Sequence, residues 1–158
     1  TATTEIYTLS LHDALPIWGT SSTSRGTRRG PTGDNAAMAP RILVCDDAPG
    51  YRLLVQTIFE DAGLEVAGTA GTWEESERLA AALRPDAILL DLWLPTFDPD
   101  GVRRVRAAAP GSVLAVVSAL AADEVAALVD GIDGVDLVLS KRQPPDALAA
   151  AVRARLRS

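Results

Sequence analysis

The stretch RILVCDDAPG, residues 41–50, places two consecutive aspartates, Asp46 and Asp47, directly after an apolar run. Apolar runs normally enter a protein core, and carboxylates are seldom buried there without a positive partner. Two adjacent carboxylates also repel each other. The stretch therefore predicts that a cation or a charged ligand offsets this repulsion where the apolar run ends.

Four more apolar runs follow, and helix-like segments separate them. The five runs are RILVC (41–45), LEVAGTA (64–70), DAILLDL (86–92), SVLAVVSA (112–119) and VDLVLS (135–140). The third and fourth are almost continuously apolar, as central parallel strands covered on both faces are, whereas the second alternates like an edge strand. Strict alternation of strands and helices with short connections favours an α/β fold with a doubly wound, five-stranded parallel sheet.

Ordinary helix signals lie between these runs. The first helical segment repeats Leu54, Ile58 and Ala62 at a spacing of one helical turn, which predicts a buried stripe. Val55 and Phe59 flank this repeat. In the second segment, Thr72 and Glu75 have the spacing of a capping box at a helix start. These signals support helices as the connections between parallel strands.

Polar residues occupy the carboxyl ends of four of the five runs, where open parallel sheets bind ligands. They are Asp46 and Asp47 after the first run, Asp91 in the third, Ser118 in the fourth and Lys141 after the fifth. The strand order 2-1-3-4-5 puts the second run, whose end carries no charge, at an edge of the sheet. The other four ends then meet at one crevice.

Three carboxylates in one crevice need protonation or a cation to relieve their repulsion. Two of them about 4 Å apart repel by roughly 4 kcal/mol at an effective dielectric constant near 20. Mg²⁺ suits such oxygen ligands together with a phosphate oxygen, and Lys141, the only lysine of the chain, adds a compact positive charge. With Ser118 as a hydroxyl and Asp91 as a nucleophile, the set predicts transfer of a phosphoryl group onto Asp91.

Four short motifs contain these polar residues: VCDD (44–47), LLDLWLP (89–95), VVSA (116–119) and LSK (139–141). In their order and approximate spacing they resemble the receiver domain of bacterial two-component response regulators. The resemblance covers essentially all of residues 40–157 and implies the flavodoxin-like receiver fold, which has the strand order given above.

The resemblance implies a role for each polar residue of the crevice. Asp91 would accept the phosphoryl group, Ser118 would be the hydroxyl that moves to it, and Lys141 would be its counter-ion. Asp47, Asp91 and the Trp93 carbonyl are implied to bind Mg²⁺ directly. Asp46 is implied to bind it through a water molecule.

The resemblance also implies partners and a location. A sensor histidine kinase or a phosphotransfer protein would donate the phosphoryl group, and helix four, strand five and helix five (about 121–157) would bind a downstream protein. A cytoplasmic domain that is no turnover enzyme is implied, and a homodimer on phosphorylation stays open. Two alternatives also stay open: the receiver half of a truncated DNA-binding transcription regulator, and an interaction module that works without phosphorylation.

Several residues depart from the family pattern. The loop PTFDPDG (95–101) is longer than the usual connection, and Val138 stands where an aromatic residue often lies. Arg142 replaces the usual proline after Lys141, and a cis bond there would cost about 2.5–4 kcal/mol, so a trans bond or an irregular loop is expected. Trp93 and Leu120 are bulky and apolar, and we expect them to shield the acyl phosphate from water.

Composition limits the remaining possibilities. The formal net charge is −6, which disfavours direct nucleic-acid binding by this domain. No apolar run approaches the roughly 18 residues of a membrane span. The single cysteine, Cys45, gives no disulfide framework and is expected to be a small buried apolar residue.

The first 37 residues differ from the rest in character. Residues 1–17 resemble an in-frame translation of a sequencing adapter, and residues 18–37 are rich in Gly, Ser, Thr and Arg. We therefore expect residues 1–37 to be a non-native, disordered leader, Met38 to be the native start and residues 38–158 to be the receiver domain. His12, the only histidine, lies in the leader and is assigned no role.

Overall fold

The computed structural model describes residues 5–6 and 38–158, and within residues 38–158 five parallel strands alternate with five helices. The elements are β1 (Arg41–Cys45), α1 (Pro49–Asp61), β2 (Glu65–Ala70), α2 (Trp73–Leu83), β3 (Ala87–Asp91), α3 (Pro99–Ala108), β4 (Val113–Ser118), α4 (Ala122–Val129), β5 (Leu137–Ser140) and α5 (Pro145–Leu156). Every predicted apolar run contains one of these strands.

The strand order confirms the predicted doubly wound topology. The five strands lie in the order β2-β1-β3-β4-β5 and all pair in parallel, so β2 is an edge strand as expected. A two-residue strand, Glu5–Ile6, adds to the other edge by pairing in parallel with β5, which the sequence did not predict. The rest of the predicted leader, residues 1–4 and 7–37, lies outside the described residues.

Side chains alternate between the two faces of the sheet, and helices cover both faces. In β1, Leu43 and Cys45 join the core layer under α2, α3 and α4, whereas Ile42 and Val44 join the layer under α1 and α5. All five residues of β3 are buried. Because helices pack on both faces of the sheet, the central strands are continuous apolar runs in the sequence.

The buried stripe predicted for α1 is wrong in part. Val55 and Phe59 are fully buried, whereas Leu54 is 46% exposed and Leu53 is 66% exposed. Two adjacent apolar stripes run along this helix, and the packing of α1 against the sheet turns the stripe of Val55 and Phe59 inward.

The start of α2 has one of the two bonds of the predicted capping box, and the Glu75 carboxylate binds the Gly71 amide in place of the Thr72 amide. The Thr72 hydroxyl accepts a hydrogen bond from the Glu75 amide at 3.2 Å, and the Glu75 carboxylate accepts one from the Gly71 amide at 2.9 Å. These bonds satisfy amides that the helix itself cannot pair. Among the described helices, none is long and apolar enough to cross a bilayer.

Candidate functional site

The fold brings Asp46, Asp47 and Asp91 to one place at the carboxyl edge of the sheet. β1 and β3 are neighbours in register, with Cys45 opposite Leu90, so Asp46 and Asp91 follow side by side. Asp46 and Asp91 are buried, and Asp47 is exposed. One carboxylate oxygen from each of the three lies within 4.8 Å of the others.

Backbone amides orient the two buried carboxylates. Asp46 Oδ1 accepts a hydrogen bond from the Ala48 amide at 2.9 Å, and Asp91 Oδ1 accepts one from the Trp93 amide at 3.1 Å. Each bond closes a short turn directly after a strand. The second oxygen of each carboxylate remains available to other groups.

Lys141 binds both of these second oxygens. Its ammonium donates to Asp91 Oδ2 at 2.8 Å and also to Asp46 Oδ2, and the side chain is 19% exposed. The Lys141 amide bonds to the Ser118 carbonyl at 2.7 Å, which fixes the end of β5 beside the end of β4. The structure thus brings together the three aspartates and the lysine that the sequence predicted as one site.

The charges of this group depend on both burial and pairing. Burial raises the pKa of Asp91, and the hydrogen bond and charge of Lys141 oppose the rise without cancelling it. Burial lowers the pKa of Lys141, but its hydrogen bonds to Asp46 and Asp91 outweigh that effect and raise the pKa overall. Lys141 is therefore protonated at neutral pH.

The donor set fits a hard divalent cation. Three carboxylates face a single ammonium, and carboxylate oxygens are the ligands that Mg²⁺ prefers in proteins. The exposed position of Asp47 leaves this side of the crevice open to solvent. Mg²⁺ binding and the assignment of its ligands remain predictions for this chain.

Ser118 and Trp93 lie next to these residues in the fold. Asp91 is opposite Val117 in the β3–β4 register, so Ser118 follows one residue further on, where it is fully buried and accepts a bond from the Leu120 amide at 3.3 Å. The Trp93 side chain is 44% exposed and lies beside Phe97, with 6.2 Å between ring centroids. Their roles toward a phosphoryl group or a metal also remain predictions.

Tyr51 is a member of the site that the sequence did not identify. It lies near the start of α1, and the Lys141 ammonium lies over its ring, 4.4 Å from the centroid. Burial raises the pKa of Tyr51 to about 12, and Lys141 acts in the opposite direction, so the phenol is neutral at neutral pH. The available signal was its position four residues after Asp47, because the first turn of a helix stays close to the strand end that precedes it.

The departures from the family pattern occupy defined places. The Trp73 indole donates to the Thr96 carbonyl at 3.1 Å and so anchors the long loop of residues 95–101. Val138 is fully buried in the core, and the Lys141–Arg142 peptide bond is trans, as expected.

Cys45 is buried as expected, and its pKa is raised to about 12 by burial. The thiol is therefore protonated at neutral pH and behaves as part of the apolar core.

Several known proteins are similar to this chain. The family model of the response regulator receiver domain matches residues 42–153. The chain is 40% identical over 83 residues to protein-glutamate methylesterase/protein-glutamine glutaminase 3 of Myxococcus xanthus, which is 51% of this chain and 23% of that protein. It is 34% identical over 120 residues to the DNA-binding response regulator MtrA of Mycolicibacterium smegmatis, which is 76% of this chain and 52% of that protein.

A solved structure has the same fold. The response regulator receiver domain protein (CheY-like) from Methanospirillum hungatei JF-1 superposes with a TM-score of 0.66 at 23% identity, over 75% of this chain and 94% of that one. The matched part of the chain corresponds to 23% of the length of the methylesterase and 52% of the length of MtrA. The matched family model, the strand order and the acidic crevice beside Lys141 lead to one conclusion: this chain belongs to the response regulator receiver domain family, whose general function is to be phosphorylated by a kinase.

Proposed function

We propose that this chain accepts a phosphoryl group on Asp91 from a phosphohistidine of a sensor kinase or a phosphotransfer protein, and signals by a change of conformation. The observation that carries the proposal is the position of Asp91 Oδ2, 2.8 Å from the Lys141 ammonium and beside two further carboxylates. A nucleophilic oxygen, a cation and oxygen ligands for a metal thus meet at one strand end.

The transfer step follows from these positions. An Asp91 carboxylate oxygen forms a bond to phosphorus while the bond between phosphorus and the donor imidazole nitrogen breaks. The imidazole nitrogen keeps the electron pair of that bond and takes a proton from water. Lys141 offsets the negative charge of the phosphoryl oxygens, and the Trp93 amide orients the attacking carboxylate through Oδ1. Mg²⁺, held by Asp47, Asp91, the Trp93 carbonyl and, through water, Asp46, would supply further positive charge there.

A route for the signal leads from Ser118 to the face formed by α4, β5 and α5. The Ser140 hydroxyl donates to the Leu120 carbonyl at 2.6 Å, and the Arg142 guanidinium donates to the Ala119 carbonyl at 3.0 Å. These bonds tie the loop after β4 to the end of β5. A movement of Ser118 toward a phosphoryl group would therefore shift this face, although Val138 provides no aromatic side chain to carry the change.

The proposal extends to partners and place. We propose that a downstream protein binds the face formed by α4, β5 and α5, that the domain acts in the cytoplasm, and that it performs no turnover chemistry on other molecules. The net charge of −6 supports a protein partner over a nucleic acid at this domain.

Intact-mass measurement tests phosphorylation. The chain is incubated with acetyl phosphate and Mg²⁺, and we expect a mass gain of one phosphoryl group that Asp91→Asn and a metal chelator both abolish. Asp86→Asn, which changes an exposed aspartate before β3, is the matched control and should retain the gain. No gain in the wild type, or a gain retained in Asp91→Asn, would overturn the proposal.

A further inference from the structure

The contact between Tyr51 and Lys141 joins α1 to the phosphorylation site. The ammonium lies 4.4 Å from the ring centroid, inside the distance of about 6 Å at which the face of an aromatic ring attracts a cation. Transfer of a phosphoryl group to Asp91, as described above, gives this ring no role. Its place over the only lysine of the chain therefore needs its own explanation.

The ring of Tyr51, and not its hydroxyl, makes the contact. The hydroxyl oxygen is buried and has no hydrogen-bond partner among the described residues. An unpaired buried hydroxyl weakens folding, whereas its removal leaves the ring and its packing unchanged. What Tyr51 contributes to Lys141 is therefore the aromatic face, which phenylalanine also possesses.

The ring differs from the other two partners of Lys141 in one respect. Asp46 and Asp91, which hold the ammonium through oxygen atoms, belong to the same carboxylate group that fits a divalent cation. A metal bound there would take up carboxylate charge and repel the ammonium. The face of the Tyr51 ring offers no oxygen ligand to a hard cation, so its attraction for Lys141 remains when a metal binds.

We propose that Tyr51 is a positioning residue for Lys141: its ring keeps the ammonium at the crevice when the carboxylates bind Mg²⁺, so that the ammonium can meet a phosphoryl oxygen on Asp91. The consequence for phosphorylation rests on the proposed function, whereas the contact itself does not.

Nuclear magnetic resonance tests the contact directly. Because Lys141 is the only lysine, isotope-labelled lysine gives a single set of side-chain signals. We expect the ε-methylene protons to be shifted upfield by the ring, with and without Mg²⁺, in the wild type and in Tyr51→Phe. The shift should be lost in Tyr51→Leu and Tyr51→Met, two apolar variants of which either suffices if the other fails to fold. An unchanged Lys141 signal in a folded apolar variant would overturn the inference.

Phosphorylation rates test the consequence. With acetyl phosphate and saturating Mg²⁺, we expect the apolar variants to react roughly three- to tenfold more slowly than the wild type, and Tyr51→Phe to react at nearly the wild-type rate. A Tyr51→Phe variant as slow as Tyr51→Leu would assign the effect to the hydroxyl and overturn the inference, as would an apolar variant that reacts at the wild-type rate. Absence of phosphorylation in the wild type would refute the proposed function instead, and the lysine signals would still decide whether the ring holds Lys141.

Discussion

The Lys141 ammonium lies 2.8 Å from an Asp91 carboxylate oxygen, although the two residues are 50 positions apart in the chain. The fold creates this pair by placing β4 between β3 and β5 and ending all three strands at the same edge of the sheet. The same ammonium also binds Asp46, so one cation serves two buried carboxylates from two other strand ends.

Loss of this cation should destabilise the metal-free protein. In Lys141→Met, Asp46 and Asp91 stay buried without a positive partner, and we expect the free energy of unfolding to fall by about 3–5 kcal/mol. Added Mg²⁺ should restore part of the lost free energy of unfolding. Urea unfolding with and without Mg²⁺ measures both effects. Arg103→Met, which breaks an exposed ion pair with Asp100, should cost no more than about 1 kcal/mol, and equal losses in the two variants would contradict the prediction.

Replacement of Asp47 should stabilise the metal-free protein, whereas replacement of Lys141 should destabilise it. It is exposed, and its carboxylate lies within 4.8 Å of those of Asp46 and Asp91. We expect Asp47→Asn to stabilise the metal-free protein by about 1 kcal/mol, because a like charge is removed, and to weaken Mg²⁺ binding because a ligand is lost. Urea unfolding and calorimetric titration with Mg²⁺ measure the two changes. An Asp47→Asn variant with undiminished Mg²⁺ affinity would show that Asp47 is not a Mg²⁺ ligand.

Trp93 and Leu120 should slow the hydrolysis of a phosphorylated Asp91. Both are apolar and follow a residue of the site by two positions, and water excluded from an acyl phosphate cannot attack it. We expect Trp93→Asn and Leu120→Glu each to shorten the lifetime of the phosphorylated protein severalfold, as measured by radiolabel decay. Leu53→Asn, which changes an exposed apolar side chain of α1, is the control. Unchanged lifetimes in both site variants would exclude shielding.

Two helical glycines should respond to alanine in opposite directions. A Cβ at Gly101 would lie 2.6 Å from Trp73 Cε3, and the Trp73 ring is held by its bond to the Thr96 carbonyl, so Gly101→Ala should cost about 1–3 kcal/mol. A Cβ at Gly50 in α1 meets no atom within 4 Å, so Gly50→Ala should stabilise by about 0.4–1 kcal/mol. Urea unfolding measures the change in the free energy of unfolding of each variant. Changes of the same sign in both variants would contradict this prediction.

Cys45 should react with thiol reagents only when the sheet opens. It is buried in β1, between β2 and β3, and burial raises the pKa of its thiol to about 12, so the folded protein presents no thiolate at pH 8. We expect the labelling rate to increase with urea in step with global unfolding. Thr69→Cys, at an exposed position of the edge strand β2, should be labelled rapidly without urea. Rapid labelling of Cys45 in the native protein would contradict its assignment to the core.

The fold was predictable from the sequence because its central strands are covered on both faces. Continuous apolar runs identify such strands, and the structure places β3 and β4 within the predicted runs. The rule that ligands bind at the carboxyl ends of parallel strands then located Asp91 and Lys141 at one site. The two-residue strand Glu5–Ile6 carries no such signal, since a pair of residues has no periodicity.

The unpredicted details depend on how each helix is rotated against the sheet. Leu54 and Val55 are adjacent apolar residues, and the sequence does not distinguish which of their stripes faces the core; packing buries Val55 and exposes Leu54. The same rotation sets the Tyr51 ring against Lys141. Such contacts depend on helix placement, which the spacing of residues does not encode.

The absence of any other lysine limits how this protein can be handled in binding studies. Activated esters and amine cross-linkers find a single side-chain target, Lys141, and its ammonium is held by two carboxylates. Attachment to a sensor chip through that amine would occupy the phosphorylation site itself. To find a partner whose binding depends on the phosphorylation of Asp91, the protein should therefore be captured through a thiol introduced at an exposed position such as Thr69.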